Sequence, residues 1–282
     1  MTRRDLLDAA TAALREAGVD EARRTAEWVV EHATGLDRVA LIARPGVEVP
    51  EAERALVDRL VARRAAGEPV QYVIGQADFR ALTLRVTRAV LVPRPETEEV
   101  VDAALAAVAG VAAPWVLDVG TGSGAIALAI KHERPDAVVF AVDVSEAALG
   151  IAAGNAERLG LDVSFARADV LAPGFAGVPS VFDLVVSNPP YVPDAERATL
   201  QAEVRREPEL ALFVPDGDPL RFYRALAGHA PALLKPGGHL VVETHADHGD
   251  AVVALFRDLG LDDAEVRQDL AGRDRIAVAR RP

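Results

Sequence analysis

Apolar residues recur at helical spacing through the first 66 positions. Leu6, Leu7, Ala10 and Leu14 form one stripe, which Gly18 ends. Ala26, Val29, Val30 and Ala33 form a second between about positions 21 and 34, with Gly35 as its stop. A third helix is predicted from Pro50 to about position 66: proline suits a helix start, and Leu56, Leu60 and Val61 share a face. From about position 78 to 92 the period changes to two. Phe79, Leu82, Leu84 and Val86 alternate with polar residues, and Val90, Leu91 and Val92 follow a short break, which predicts a hairpin. Beyond Pro95 strand and helix patterns alternate. Strands are predicted at 115–119, 138–142, 163–166, 182–187, 239–243 and 275–279, with helices such as 125–132 and 146–159 between them. Such alternation predicts a mostly parallel sheet covered on both faces, with ligands beyond the carboxyl ends of its strands. The expected fold is therefore α/β, Rossmann-like, with a small N-terminal helical domain. Its spans are 1–75 for the helical module, 76–94 for a β-hairpin linker and 95–282 for the α/β domain.

Composition narrows the function. Half of the 282 residues are apolar, ample for a buried core in one large and one small domain. The chain has no cysteine, which excludes disulfides, thiolate metal sites and cysteine nucleophiles. Its net charge of −12 argues against nucleic acid as the main substrate, because a phosphate-gripping surface is normally basic. Arg3 and Arg4 are followed by no long apolar region, so no secretory signal is expected. No window of about 18 uninterrupted apolar residues exists to span a membrane. A cytoplasmic protein without a membrane partner is the expectation.

The first candidate site is Asp118-Val119-Gly120-Thr121-Gly122-Ser123-Gly124, which follows an apolar strand and opens a helix. Alternating glycines let the backbone turn with positive φ and approach a ligand closely. Asp143 ends the next predicted strand, 19 positions past Gly124, where an acidic residue accepts from ribose hydroxyls. The loop departs from the dinucleotide pattern, since its glycines alternate and Asp118 precedes them. A carboxylate there suits a cationic ligand better than a pyrophosphate. S-adenosylmethionine carries a sulfonium and an amino group and no phosphate, so Asp118 is expected near its methionine end. Asp169, at the end of the third strand, is expected to accept from the adenine amino group.

The second site is Asn188-Pro189-Pro190-Tyr191, directly after the predicted strand 182–187. Two prolines fix two φ angles, remove two donors and push Asn188 into extended geometry. The Asn188 side-chain oxygen and the Pro189 carbonyl then form a pair of acceptors that matches a planar NH2 group. Accepting both its hydrogens would raise electron density on a delocalised nitrogen and aim it at a sulfonium methyl, so catalysis would be positioning and electrostatics. Tyr191 is expected to lay its ring on the substrate plane. The close histidine pair His245 and His248 reads as a solvated loop, with no metal expected, and Lys235-Pro236-Gly237-Gly238 as a turn before a strand.

Together, the glycine loop and the Asn-Pro-Pro-Tyr segment resemble the class I methyltransferases that modify planar nitrogens. Residues 68–75 (Glu-Pro-Val-Gln-Tyr-Val-Ile-Gly), 91–98 (Leu-Val-Pro-Arg-Pro-Glu-Thr-Glu), 204–208 (Val-Arg-Arg-Glu-Pro) and the ending 269–280 are similar to the release-factor glutamine methyltransferases. That resemblance covers nearly the whole chain. It implies a seven-stranded, mostly parallel sheet, S-adenosylmethionine as methyl donor, and the glutamine of the Gly-Gly-Gln motif in peptide chain release factors as substrate. It also implies that Gly120, Thr121, Gly122, Ser123, Gly124, Asp143 and Asn188 contact the donor. Asn188, Pro189, Pro190 and Tyr191 would contact the glutamine, and Arg94 would border the donor pocket. The position after Asp169 is often aromatic in that family. Here it is Val170, so stacking on adenine is not expected from it. Ribosomal-protein glutamine methylation, nucleic-acid amine methylation and a non-catalytic binding module are the competing expectations. Pro95 disfavours the first, the acidic charge the second and the intact tetrapeptide the third.

Overall fold

The computed structural model describes residues 1–173, 175, 178–179 and 181–282. The chain forms two compact units. One comprises residues 1–76 with 201–206, the other 77–200 with 207–282.

The first unit is helical. Its helices are α1 (Arg3–Glu16), α2 (Ala22–Thr34), α3 (Arg38–Ala43), α4 (Glu51–Ala65) and α5 (Val70–Ile74). Thr2 and Asp5 form a reciprocal capping box at the start of α1, and left-handed Gly35 ends α2. Leu6, Leu14, Ala26, Val29, Val30 and Val57 are fully buried among them, as the helical stripes require. Neither α3 nor α5 was predicted, since five or six residues are too short for a periodic stripe to show. Residues 201–206, which the sequence assigned to the span 95–282, cluster with this unit. The Arg64 guanidinium pairs with Glu203 at 2.6 Å there, and Arg206 donates to the Ala66 carbonyl.

The second unit carries the sheet. It begins in a short hairpin, β1 (Gln76–Phe79) and β2 (Leu82–Arg85). The alternation that suggested strand as far as position 92 stops pairing after Arg85. There the buried Asn155 side chain takes over both backbone groups: Arg85 N donates to its Oδ1 at 2.7 Å, and its Nδ2 donates to the Arg85 carbonyl at 3.0 Å. The large sheet comprises β3 (Trp115–Val119), β4 (Val138–Asp143), β5 (Val163–Arg167), β6 (Phe182–Ser187), β9 (Leu234–Glu243), β10 (Asp262–Gln268) and β11 (Asp274–Arg280). Its order is β10-β11-β9-β6-β3-β4-β5. The pairs from β9 to β5 are parallel, while β11 runs antiparallel to both its neighbours. This is the class I methyltransferase fold with a mostly parallel seven-stranded sheet.

Strand β10 was missed because only Ala264 of its seven residues is buried, so no alternation shows in its sequence. The residues read as a turn before a strand, 235–238, lie inside β9, whose pairing with β6 is irregular between Phe182 and Leu184. Helices α6 (Pro95–Ala107) and α7 (Ala125–Glu133) bury Val100, Val101, Leu128 and Ile130 on one face of the sheet. On the other face, α10 (Arg221–Leu233) and α11 (Gly249–Asp258) bury Tyr223, Leu226, Val252 and Phe256. Helix α8 (Glu146–Leu159) packs beside β4 and β5. A two-stranded parallel pair, β7 (Val192–Pro193) and β8 (Phe213–Val214), with the single-turn α9 (Glu209–Leu212), completes the unit.

Candidate active site

Strands β3, β4 and β6 are in parallel register, with Val119 opposite both Val142 and Ser187. The chain therefore leaves β3 at Gly120 and β6 at Asn188 side by side, at the same carboxyl edge. Two further bonds hold this edge. The Ser187 hydroxyl donates to the Val119 carbonyl at 2.7 Å, and Gly120 N and Thr121 N both donate to the Val142 carbonyl, at 2.9 and 3.0 Å. One cavity opens there. Gly120, Thr121, Gly122, Ser123, Asp143, Asp169, Val170, Asn188, Pro189, Pro190 and Arg94 all line it, so the two motifs share a single space.

Asp143 grips the glycine loop through both oxygens. Its Oδ2 accepts from Gly122 N and its Oδ1 from Ser145 N, each at 2.9 Å. Each oxygen keeps a second lone pair for a diol. Asp169 Oδ1 accepts from Leu171 N at 2.9 Å, and the Val170 carbonyl meets His229 Nε2 at the same distance. Arg94 is held by Glu207 at 2.5 Å, and the other Glu207 oxygen accepts from Val92 N at 2.9 Å. The remaining wall is apolar: Ile126, Leu210, Phe222 and Leu226 surround a space that a flat heterocycle fits. A cradle of this kind fits S-adenosylmethionine. A Cβ at Gly120 or Gly122 would project into open space, and both have positive φ, +76° and +56°.

Three of the sequence-predicted residues lie elsewhere. Asp118, expected beside the cationic end of the ligand, is fully buried beneath the loop and does not line the cavity. Its Oδ2 accepts from the Thr121 hydroxyl at 2.6 Å and from Ala127 N at 3.2 Å, while Oδ1 has no partner among the described residues. Its position along β3 points it inward, where it braces the loop instead of touching a ligand. Gly124 also does not line the cavity. It starts α7 at φ +85°, and a Cβ there would lie 2.9 Å from Leu128 Cδ1, so its role is close packing. Tyr191 does not line the cavity either. Its hydroxyl donates to Glu243 Oε1 at 3.0 Å, and its ring meets His245 edge-on at 6.0 Å between centroids.

Burial pushes the Asp118 carboxyl up to about 7, against the Thr121 and Ala127 hydrogen bonds. The protonated form is thus favoured by folding. Stability from this group is full below the ordinary carboxylate value of 3.8 and is lost as pH rises through about 7. The separation corresponds to on the order of 4 kcal/mol. Asp118→Asn is expected to flatten the fall in unfolding free energy between pH 5 and pH 8, measured by urea titration. An unchanged slope would show that Asp118 does not titrate in the fold.

Asn188 is fixed from behind through its side-chain nitrogen. Its Nδ2 donates to Thr97 Oγ1 at 3.0 Å, and Thr97 donates in turn to Glu243 Oε2 at 2.6 Å. Asn188 Oδ1 makes no hydrogen bond among the described residues. Thr97, Glu243, Glu207 and Asn155 were all missed. Thr97 and Glu207 lie in the segments 91–98 and 204–208 that carry the resemblance, and Glu243 stands out as a polar residue after the apolar run Leu-Val-Val at 240–242.

The PrmC N-terminal domain family matches residues 5–75, and the Methyltransferase small domain family matches residues 102–207. The release factor glutamine methyltransferase of Deinococcus radiodurans is 44% identical over 282 residues, covering 100% of this chain and 99% of its own. That of Cereibacter sphaeroides is also 44% identical over 282 residues, covering 99% of this chain and 98% of its own. Among solved structures, the hMettl16 catalytic domain in complex with MAT2A 3′UTR hairpin 6 aligns at a TM-score of 0.58 and 14% identity. It covers 78% of this chain and 81% of its own, a likeness of fold alone. With both family domains in order and identity of 44% along the whole length of such relatives, the chain belongs to the release factor glutamine methyltransferase family.

Proposed function

We propose that this enzyme transfers a methyl group from S-adenosylmethionine to the side-chain amide nitrogen, N5, of the glutamine in the Gly-Gly-Gln motif of peptide chain release factors. The observation that carries the reading is the Asn188 carboxamide. Its NH2 is tied back to Thr97, and its residue lines the same cavity as the glycine loop. Asn188 Oδ1 and the Pro189 carbonyl accept the two hydrogens of the glutamine NH2. With both hydrogens held, the nitrogen lone pair is turned toward the donor side of the cavity. S-adenosylmethionine, when bound, supplies an electrophilic methyl on its sulfonium. Asp143 would hold its ribose hydroxyls, Gly120 and Gly122 would let the backbone approach it closely, and the apolar wall with Val170, Leu210 and Phe222 would cover its heterocycle. No dedicated base is needed before transfer, since the extra proton leaves a cationic amide afterwards.

The helical module at 1–75 is assigned to recognition of the protein substrate. Support comes from the cavity itself, whose lining begins only at Ala89. A cytoplasmic location suits a translation factor as substrate. No helix among the described residues is long and apolar enough to cross a membrane.

Incubation with labelled S-adenosylmethionine and a release factor is expected to label the factor. Replacing its Gly-Gly-Gln glutamine is expected to abolish the signal. Equal labelling of both forms would defeat the assignment, and labelling of RNA or DNA with none of protein would move the substrate class to nucleic-acid amines.

A further inference from the structure

Three elements converge behind Asn188. The first turn of α6 brings Thr97, the end of β9 brings Glu243, and the end of β6 brings Asn188 itself. Thr97 is 4% exposed and Glu243 1%. The two Glu243 oxygens take separate hydroxyl donors, Thr97 at 2.6 Å and Tyr191 at 3.0 Å, and the Tyr223 hydroxyl donates to the Glu243 backbone carbonyl at 3.2 Å. The backbone of Thr97 is fixed as well, since its N–H donates to the Arg94 carbonyl at 3.1 Å beside Pro95.

We propose that Thr97 and Glu243 form a directional relay that fixes which end of the Asn188 carboxamide faces the cavity, and so makes the site selective for an NH2 group over a carboxylate. This rests on the reading of the cavity as a glutamine-methylating site. The logic is a count of protons. A carboxylate can only accept, and a hydroxyl owns one hydrogen. Glu243 takes the Thr97 hydrogen, so toward Asn188 the Thr97 oxygen has only lone pairs left. Of the two ends of the carboxamide, only Nδ2 can meet it. A flipped Asn188 would set two acceptors 3.0 Å apart and would turn its own donors toward the cavity. Oδ1 is therefore held outward.

A buried carboxylate is costly and could be replaced by an apolar residue with no loss of packing. What an apolar residue cannot supply is direction. Burial raises the Glu243 pKa, while the Thr97 and Tyr191 hydroxyls and the Arg275 charge oppose that rise and favour the accepting form. The consequence reaches the substrate. A glutamine brings two donors to the acceptor pair formed by Asn188 Oδ1 and the Pro189 carbonyl. A glutamate in its place brings only acceptors and is rejected. Thr97 and Glu243 touch neither reactant in this scheme. They are positioning residues, and the discrimination is made by Asn188.

The test uses the full-length protein at mildly alkaline pH, with three variants of one position: wild type, Thr97→Val and Thr97→Ser. Valine matches threonine in shape and removes the hydroxyl; serine keeps it. Thr97→Val is expected to lower kcat by about 10- to 100-fold, with the KM for S-adenosylmethionine within about twofold of wild type. In competition assays with S-adenosylhomocysteine present, its preference for a Gly-Gly-Gln release factor over the Gly-Gly-Glu form should fall by about tenfold or more. Thr97→Ser is expected to restore both. Wild-type kcat and discrimination in Thr97→Val would overturn the relay, as would a Thr97→Ser as defective as Thr97→Val. Thermal melting of each variant separates these outcomes from misfolding.

The orientation is also read without substrate. In the folded wild type, the Asn188 side-chain NH2 should show a nuclear Overhauser contact to the Thr97 methyl, and lose its defined resonance positions in Thr97→Val. Absence of that contact in wild type overturns the relay. A wild type that shows the contact yet methylates no release factor overturns the proposed substrate and leaves the relay standing.

Discussion

Asn188→Ala is expected to lower kcat by on the order of 10²–10³, the loss that follows removal of one preorganised electrostatic partner. The reason lies in what remains. Alanine leaves the Pro189 carbonyl as the sole acceptor from the glutamine NH2. One hydrogen of that nitrogen is then unheld, and the nitrogen can rotate away from the methyl donor. Affinity for the donor should change little, because Gly120, Gly122, Asp143 and the apolar wall are untouched. The effect therefore falls on kcat more than on the KM for S-adenosylmethionine. Removal of Asn188 also leaves Thr97 Oγ1 without its 3.0 Å donor, a smaller, structural loss of about 1 kcal/mol. Steady-state kinetics with a release factor as substrate, paired with calorimetric binding of S-adenosylhomocysteine, measures both. A wild-type kcat would remove Asn188 from the mechanism.

Gly122→Val should weaken S-adenosylhomocysteine binding by about two orders of magnitude. Gly122 has φ +56° and donates its N–H to Asp143 Oδ2 at 2.9 Å. A β-branched residue there is strained by on the order of 1–3 kcal/mol. The free loop relieves the strain by leaving that conformation, so binding must restore it, and about 1.4 kcal/mol lost is tenfold in affinity. Gly122 lines the cavity, and a Cβ there meets nothing within 4 Å, so the effect comes from the backbone and not from a clash within the protein. Gly122→Ala, with the same φ demand and a smaller group, should fall between wild type and valine. Isothermal titration calorimetry gives the order directly. Wild-type affinity in Gly122→Val would mean that the loop does not form the binding cradle.

How much of the site was readable depended on how local its chemistry is. The glycine loop, Asp143 and the Asn-Pro-Pro-Tyr segment each advertise themselves over a few positions. Their backbone demands, positive φ and proline-locked extension, are ones that glycine and proline meet better than other residues. Tyr191, an aromatic ring beside two prolines, reads as a stacking platform, while the partner of its hydroxyl, Glu243, lies 52 positions later and could not be read from the segment. Asp118, two positions before Gly120, reads as a ligand contact, while the pleat of β3 turns it inward to accept from Thr121 and Ala127. Thr97 and Glu243 were invisible for a plainer reason. They lie 146 positions apart, and nothing in either neighbourhood announces the other.

The sequence by itself determined the helical stripes of α1, α2 and α4, six of the seven strands of the large sheet and the two chemistry-bearing turns, because periodicity, glycine and proline act within a few residues. It also determined the register of the site in outline, since parallel strands bring every βα turn to one edge. Only the tertiary structure decided which polar residues serve the cavity and which serve the scaffold. Asn155 ends the hairpin, Glu207 anchors Arg94, and Thr97 and Glu243 orient Asn188. Those assignments are hydrogen bonds between elements distant in the chain. Each side chain has several possible partners until packing leaves one within reach, and burial makes that one obligatory.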